Sequence, residues 1–312
     1  MQFTSKTDES VRMRRAPRFA ADPLMQSAQT EQQTFPQSAL YIVGLPIGNA
    51  ADITLRALWV LDICDRVACE DTRETRKLLD RYGIDTPTIS VHEHNEREAA
   101  EKLVEYLSAG ERIALVTDAG TPAVSDPGAR AVQSVREAGF RVIPIPGASA
   151  VVTALSASGL DSYRFTFAGF VPPSGRARKT AIAALADKEE AFVLYEAPHR
   201  IRDLLEDLAG VLGAERRVVV SRELTKKFES FDAMRAGDLA AWAASHEPRG
   251  EYAVVVDMQE KGEESLDAKD LKWLRELARE LPKSRASAVA ARVTGLKRDR
   301  IYRLLGEGEA DE

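Results

Sequence analysis

The chain has 312 residues and a mass of 34.3 kDa, with 44% hydrophobic and 29% charged side chains and a formal net charge of −6. That length suits two domains of ordinary size and that composition a soluble globular protein, and no apolar stretch reaches the roughly 18 residues of a membrane helix. The two cysteines, Cys64 and Cys69, match no zinc-ligand pattern, so no metal site is expected and a reducing compartment, the cytoplasm, is the simplest setting.

Residues 1–38 are rich in Gln, Ser, Thr, Arg and Pro without sustained periodicity, which predicts a disordered leader. The basic MRRAPR at 13–18 is not followed by the apolar run of a secretion signal. From Ala39 the pattern becomes regular. Strand-like runs LYIVG (40–44), RVACE (66–70), TISVH (88–92), ERIALVT (111–117) and FRVIPIP (140–146) alternate with helical patterns at 52–61, 72–82, 96–109, 129–138 and 149–156. Such alternation predicts an α/β domain over 39–158 with a mostly parallel sheet.

The rhythm resets near Gly159–Arg164. FTFAGFV (165–171), AFVLYE (191–196), RRVVVSRE (216–223), FESFDAM (228–234) and EYAVVVDM (251–258) read as strands of a second α/β domain over 159–260. Its sheet is expected to be mixed, with the 228–234 and 251–258 strands each pairing antiparallel with neighbours. KGEES (261–265) reads as a linker, and residues 265–305 as a small all-helical module with helices at 268–281, 284–293 and 297–304. Between Ser265 and Leu304 eleven Lys and Arg face five acids, so a basic piece rides on an acidic body. SRASAVAARVTGLKRDRIYRLL has the helix–turn–helix look of a nucleic-acid module, and equally that of a hairpin stabilising a dimer.

In open parallel sheets ligands collect at the carboxyl ends of the strands. Here those ends read GLPIGN (44–49), EDTR (70–73), HEHN (92–95), TDAGTPAVSDPG (117–128) and PGAS (146–149). Each is compatible with ordinary turn chemistry, but five in succession on one edge point to a ligand crevice. Neither GxxxxGK[ST] nor GxGxxG occurs, so the loops do not look like phosphate cradles. Small turns let backbone amides and carbonyls approach a ligand, and Asp118 can accept from an amine or hydroxyl, which suits a zwitterionic amino-acid ligand. Asp126, near the start of the next helix, reads as a helix cap.

LYIVGLPIGNAADIT, VACEDTR, HEHNE, ALVTDAGTPAVSDPG, PGASA, TALSASGL, GFVPP, YEAPHR and RELTK fall in order between residues 40 and 226. Together they resemble the tetrapyrrole-methylase superfamily, the class III S-adenosylmethionine (SAM) methyltransferases. Within it they resemble the branch that methylates a cytidine ribose 2′-oxygen in the decoding region of 16S ribosomal RNA. The resemblance implies SAM in a cleft between the two α/β domains, with Pro46, Gly48, Asp118, Gly120, Thr121, Pro122, Ala148 and Ser149 lining it. Stretches near Phe170, Glu196 and Gly250–Glu251 would close it from the second domain. It also implies a homodimer acting on the small ribosomal subunit.

Candidates for a proton acceptor are Glu70, Asp71, His94, Glu196 and His199. Against these roles, Asp71 or Thr72 is placed to cap the next helix and Glu196 to pair with Arg200. Arg73, Arg200, Arg222 and Lys226 read as RNA contacts at the cleft mouth, and Arg176, Arg178 and Lys179 as a mobile basic loop. The alternatives are a methylase of precorrin-like tetrapyrroles on the same scaffold, and a catalytically idle SAM- or ribosome-binding protein.

Overall fold

The structure, a computed structural model, describes residues 17–91, 96–160, 163–259, 268–294 and 296–307. The HEHN turn and its candidate His94 lie outside the described residues. The chain forms two compact units, Met1–Met258 and Gln259–Glu312.

In the first unit α1 (Pro23–Ser27) and β1 (Ala39–Val43) are followed by α2 (Leu55–Ile63), β2 (Arg66–Cys69), α3 (Thr72–Arg81) and β3 (Thr88–Ser90). Then come α4 (Glu96–Ser108), β4 (Arg112–Leu115), α5 (Ala129–Glu137), β5 (Arg141–Ile145) and α6 (Ala150–Ala157). The five strands form one sheet in the order β3-β2-β4-β1-β5, with every pairing parallel. Alternate residues of β1 serve opposite faces: Tyr41 and Val43 pack with Val60 and Leu61 of α2, whereas Leu40 packs with Leu103 and Leu107 of α4. Covering both faces is what an all-parallel sheet requires. β1 lies between β4 and β5, so the chain runs outward from β1 one way and from β4 to β5 the other. At that reversal the loops after β1 and β4 come side by side.

The second sheet is built from β6 (Phe165–Phe170), α7 (Gly175–Ala186), β7 (Ala191–Glu196), α8 (Ile201–Val211), β8 (Arg217–Arg222), β9 (Ser230–Arg235), α9 (Leu239–Ser245) and β10 (Tyr252–Val256). Its order is β6-β7-β10-β8-β9, parallel between β6 and β7 and antiparallel elsewhere. Phe192, Leu194, Val218 and Val254 pack on Leu204 and Leu205 of α8. The opposite face, carrying Val193, Val219 and Val255, packs on Val151 and Ala154 of α6. Helix α6, which follows β5 of the first sheet, thus packs on the second sheet, and Ile47 of the loop after β1 packs against the same cluster. The expected boundary at 158–159 falls between the two sheets but inside a single compact unit.

Residues 17–38 correct the expectation of a disordered leader. Asp22 caps α1 by accepting from the Leu24 amide at 2.8 Å, Met25 is buried, and Phe19 and Phe35 pack against the first core. The Arg18 amide donates to Asp62 at 2.6 Å. These isolated apolar residues have no period to betray them; tertiary contacts fix the segment, not its own helix propensity.

In the second unit α10 (Ala268–Glu280), α11 (Lys283–Thr294) and α12 (Arg298–Glu307) enclose a core of Leu274, Ala290, Leu296 and Ile301. No helix among the described residues is long and apolar enough to cross a membrane.

Candidate active site

Three loops at the carboxyl edge of the first sheet are fixed against one another by backbone contacts. Leu45 and Gly120 exchange hydrogen bonds of 2.8 and 3.2 Å, an antiparallel bridge joining the loops after β1 and β4. The Gly44 amide donates to Ile145 at 3.2 Å, and a Cβ on Gly147 would stand 2.5 Å from the Gly44 carbonyl oxygen. The two loops can approach so closely only without side chains. The Thr121 hydroxyl donates to the Ala148 carbonyl at 3.4 Å, tying the β4 and β5 loops.

The loop after β4 is held in an unusual backbone conformation. Ala123 (φ 65°) and Ser125 (φ 64°) are left-handed although neither is glycine, a conformation that persists only where its surroundings impose it. Here the Val124 amide donates to Thr121 and the Ala123 amide to Pro127, both at 3.3 Å. Ser125 presses on Gly169 of β6, where an added Cβ would lie 2.7 Å from its hydroxyl oxygen.

Between these loops and the second sheet lies a cavity of about 390 Å³, within the range of small-molecule sites. Ile47, Leu224, Phe170 and Tyr195 supply its apolar wall, the segments Gly120–Thr121 and Ser149–Ala150 run along it, and Asp126, Glu196 and Glu251 bring carboxylates. Of the residues expected to hold the ligand, Gly120, Thr121 and Ser149 line this cavity; Pro46, Gly48, Asp118, Pro122 and Ala148 belong to the loops that frame it. Gly48 is exposed and packs on Lys226, whose Cγ an added Cβ would meet at 2.5 Å. Asp118 is also exposed, and accepts from the Asp71 amide at 3.4 Å.

The acid–base candidates separate clearly. Asp71 is the N-cap of α3: its carboxylate accepts from the Arg73 amide at 2.8 Å and pairs with the Arg73 guanidinium at 2.9 Å. Those hydrogen bonds, the side-chain ones first, pull its carboxyl down to about 2. Glu196 is buried, accepts from the Ala197 amide at 2.9 Å and stands 3.0 Å from Arg200. His199 is exposed and, like Glu70, is not on the cavity wall. Sequence reasoning misses Asp126. It does not cap α5, whose N-cap is Gly128. It is half-buried on the cavity wall, and its carboxyl is raised to about 6, chiefly by burial and then by the charge of Glu70, with Asp118 adding to this and a Thr117 hydrogen bond opposing it. Tyr195, across the cavity, is pushed up to about 12, chiefly by its own burial, with a Val151 backbone hydrogen bond opposing and the charge of Asp126 contributing.

The basic candidates divide in the same way. Arg178 is buried, with its Nε 2.6 Å from Asp207, which corrects its assignment to a mobile RNA-facing loop. Arg200 is occupied by Glu196 and by the Val171 carbonyl at 2.7 Å, and Lys226 by Glu223 and Glu251 at 2.9 and 2.8 Å. Arg222 is half-buried. Arg73, Arg176 and Lys179 are exposed, Arg73 beside Asp71 and Lys179 3.4 Å from Asp207. Among the described residues no group of three or more His, Cys, Asp or Glu is placed to hold a metal ion.

Residues 39–240 match the family described as Tetrapyrrole (Corrin/Porphyrin) Methylases, and residues 264–308 the family described as RsmI C-terminal HTH domain. The ribosomal RNA small subunit methyltransferase I of Escherichia coli O157:H7 is 46% identical over 269 residues, covering 86% of this chain and 94% of that protein. The protein of the same name from Mesorhizobium japonicum is 47% identical over 294 residues, covering 91% and 98%. Among solved structures, uroporphyrin-III-C-methyltransferase from Thermus thermophilus superposes with a TM-score of 0.52 at 22% identity, over 70% of this chain and 94% of that one. The cobalamin biosynthetic enzyme cobalt precorrin-4 methyltransferase gives a TM-score of 0.55 at 16% identity, over 70% and 95%, a likeness of fold. With two α/β halves, a cavity beyond the strand ends and matches running from residue 39 to residue 308, the chain belongs to the tetrapyrrole methylase family, in the group named ribosomal RNA small subunit methyltransferase I.

Proposed function

We propose that this chain is a SAM-dependent methyltransferase that modifies the ribose 2′-oxygen of a cytidine in the decoding region of 16S ribosomal RNA. The observation that carries the RNA assignment is the near-full-length match to relatives named for small-subunit ribosomal RNA methylation, which cover up to 91% of the chain at 47% identity. The precorrin-type structures are almost used up by 70% of this chain, leaving little in them to correspond to the remainder. That remainder favours a macromolecular substrate over a tetrapyrrole. The same reading carries a homodimer, which sedimentation of the full chain tests, and a cytoplasmic location, where ribosomal subunits are found.

The cavity suits SAM in volume and in character. Its Ile47, Leu224, Phe170 and Tyr195 surface matches a nucleoside, and backbone groups along Gly120–Thr121 and Ser149–Ala150 match an amino-acid tail. When bound, SAM supplies a methyl group made electrophilic by the sulfonium charge. The chain's task is then alignment and exclusion of water: the Leu45–Gly120 bridge and the Gly44–Gly147 contact hold the framing loops so that a hydroxyl can be presented in line. Pro46, Gly48, Asp118, Pro122 and Ala148 serve by shaping those loops. Of the candidates around the cleft mouth and the 176–179 stretch, Arg73, Arg176 and Lys179 are exposed and open to phosphates.

Labelled SAM incubated with 30S particles, naked 16S rRNA or a tetrapyrrole precursor separates the readings. The expected result is one labelled ribose on RNA. Label on the tetrapyrrole alone would sink the proposal, and label nowhere would favour a non-catalytic binder.

A further inference from the structure

The cavity wall carries the carboxylates of Asp126, Glu196 and Glu251. Two of them are matched by cations inside the protein, Glu196 by Arg200 at 3.0 Å and Glu251 by Lys226 at 2.8 Å. Among the described residues, Asp126 has no cation partner; its hydrogen-bonding neighbour is the Thr117 hydroxyl. Asp71 is committed to capping α3, while Glu70 and His199 stand off the wall.

We propose that Asp126 is the proton acceptor of the methyl transfer. The inference rests on the methyltransferase reading and deepens it by assigning the step that reading left without a residue. Asp126 accepts the hydroxyl proton as the oxygen–methyl bond forms and the methyl–sulfur bond breaks, its electron pair staying on sulfur; the proton then passes to solvent. The left-handed residues Ala123 and Ser125, clamped by the Ala123–Pro127 and Val124–Thr121 hydrogen bonds and by Ser125 against Gly169, fix where the carboxylate stands. Such rigidity is what a positioned base needs.

The groups around it set its basicity. Among the described residues, Glu70 beyond β2 and Thr117 and Asp118 beyond β4 act on it, and Tyr195, the Glu196–Arg200 pair at the end of β7 and the Glu251–Lys226 pair before β10 stand on or beside the same cavity wall. Burial and the neighbouring charges of Glu70 and Asp118 hold the carboxyl at about 6, so it is ionised at neutral pH yet more basic than an ordinary aspartate.

The test measures single-turnover methyl transfer to 30S particles across pH for the full-length protein and its Asp126→Asn and Asp126→Glu variants. SAM affinity by calorimetry and the Asp126 carboxyl titration by NMR are read on the ligand-free protein. Expected are a loss of about 100-fold or more in Asp126→Asn, partial recovery in Asp126→Glu, and unchanged SAM affinity. The wild-type acidic limb should follow the carboxyl near 6 and vanish in Asp126→Asn. An Asp126→Asn rate like wild type, a limb that survives the substitution, or a loss of SAM affinity equal to the loss of rate would each overturn the assignment. So would a carboxyl titrating near the ordinary value of about 4. A wild-type protein that methylates no RNA instead overturns the functional reading, while titration and SAM affinity still judge Asp126.

Discussion

A carboxylate placed where its charge is disfavoured weakens the fold at the pH at which it works. Asp126 sits at about 6 in the folded protein against 3.8 for a free side chain. Between those values the folded state holds the proton more tightly than the unfolded state, so stability falls as pH rises through that window. Above it the full penalty is present; below it none is. Asp126→Asn, neutral at every pH, should therefore raise the melting temperature at pH 7.5, and the gain should fade to nothing as pH is lowered past about 4. The side chain is half-exposed, so solvent screens the effect and a shift of a few degrees is the expected scale. Thermal unfolding across pH checks it; an equal gain at every pH would mean that packing, and not charge, is responsible. The same residue shows where the sequence stops being legible. SDPG before a helix reads as capping chemistry, and Asp118 reads as the ligand acid. Which carboxylate faces the cavity depends on left-handed turns at Ala123 and Ser125, and residues with side chains at those positions give no sign of them. Gly44 and Gly147 are different: GLPIGN and PGAS read as turns that let backbone approach a ligand, whereas the structure uses these two glycines for a close contact between the loops themselves.

Helices α7 and α8 show how the second half is fastened at its outer layer. Arg178 of α7 and Asp207 of α8 are 5% and 7% exposed and meet at 2.6 Å, with Lys179 3.4 Å from the other Asp207 oxygen and the Pro173 carbonyl accepting from Arg178 at 3.4 Å. Removing Asp207 leaves the buried Arg178 charge facing the exposed and more distant Asp203, at 3.8 Å. Asp207→Ala should cost about 3–5 kcal/mol, measured by urea unfolding. Pairing it with Arg178→Met should recover much of the loss, because no buried charge is then left unpaired. If Arg178→Met alone instead left stability intact and weakened RNA binding, the structural assignment of Arg178 would fall. In sequence, GRARK after a Pro-Pro-Ser turn looks like an exposed basic loop; its helical period places Arg178 inward beside Ile182, and the acid that meets it is supplied by the following helix. Strands were more readily legible, since β1, β4 and β7 are continuous apolar runs, as strands buried on both faces must be. Helix α1 was not legible, because five residues carry no period; the Asp22 cap and the burial of Met25 mark it only in the structure.

At the scale of the whole chain, charge and architecture are partitioned. In the first unit α6, which follows β5, packs on the second sheet together with Ile47 of the loop after β1, so a helix and a framing loop of the first half meet the second sheet in one cluster. The 265–304 stretch carries eleven basic and five acidic residues within a chain of net charge −6. A cationic segment on an anionic body steers toward a polyanion locally while the remainder repels it. Arg285 and Arg292 of α11 and Lys297 just before α12 are exposed, so their side chains are available to phosphates. Replacing all three by Gln should leave folding intact, since Leu274, Ala290, Leu296 and Ile301 make that unit's core. It should weaken binding to 16S rRNA, and the slope of log affinity against log salt should flatten by about 0.7–0.9 for each phosphate no longer neutralised. Affinity measured over a salt series for the triple variant and the wild type gives that slope directly. A phosphate-binding module predicts a flatter slope together with lower affinity at low salt. If both lines coincide, the module does not touch RNA through these residues, and the hairpin reading, in which it serves assembly of the protein, takes its place.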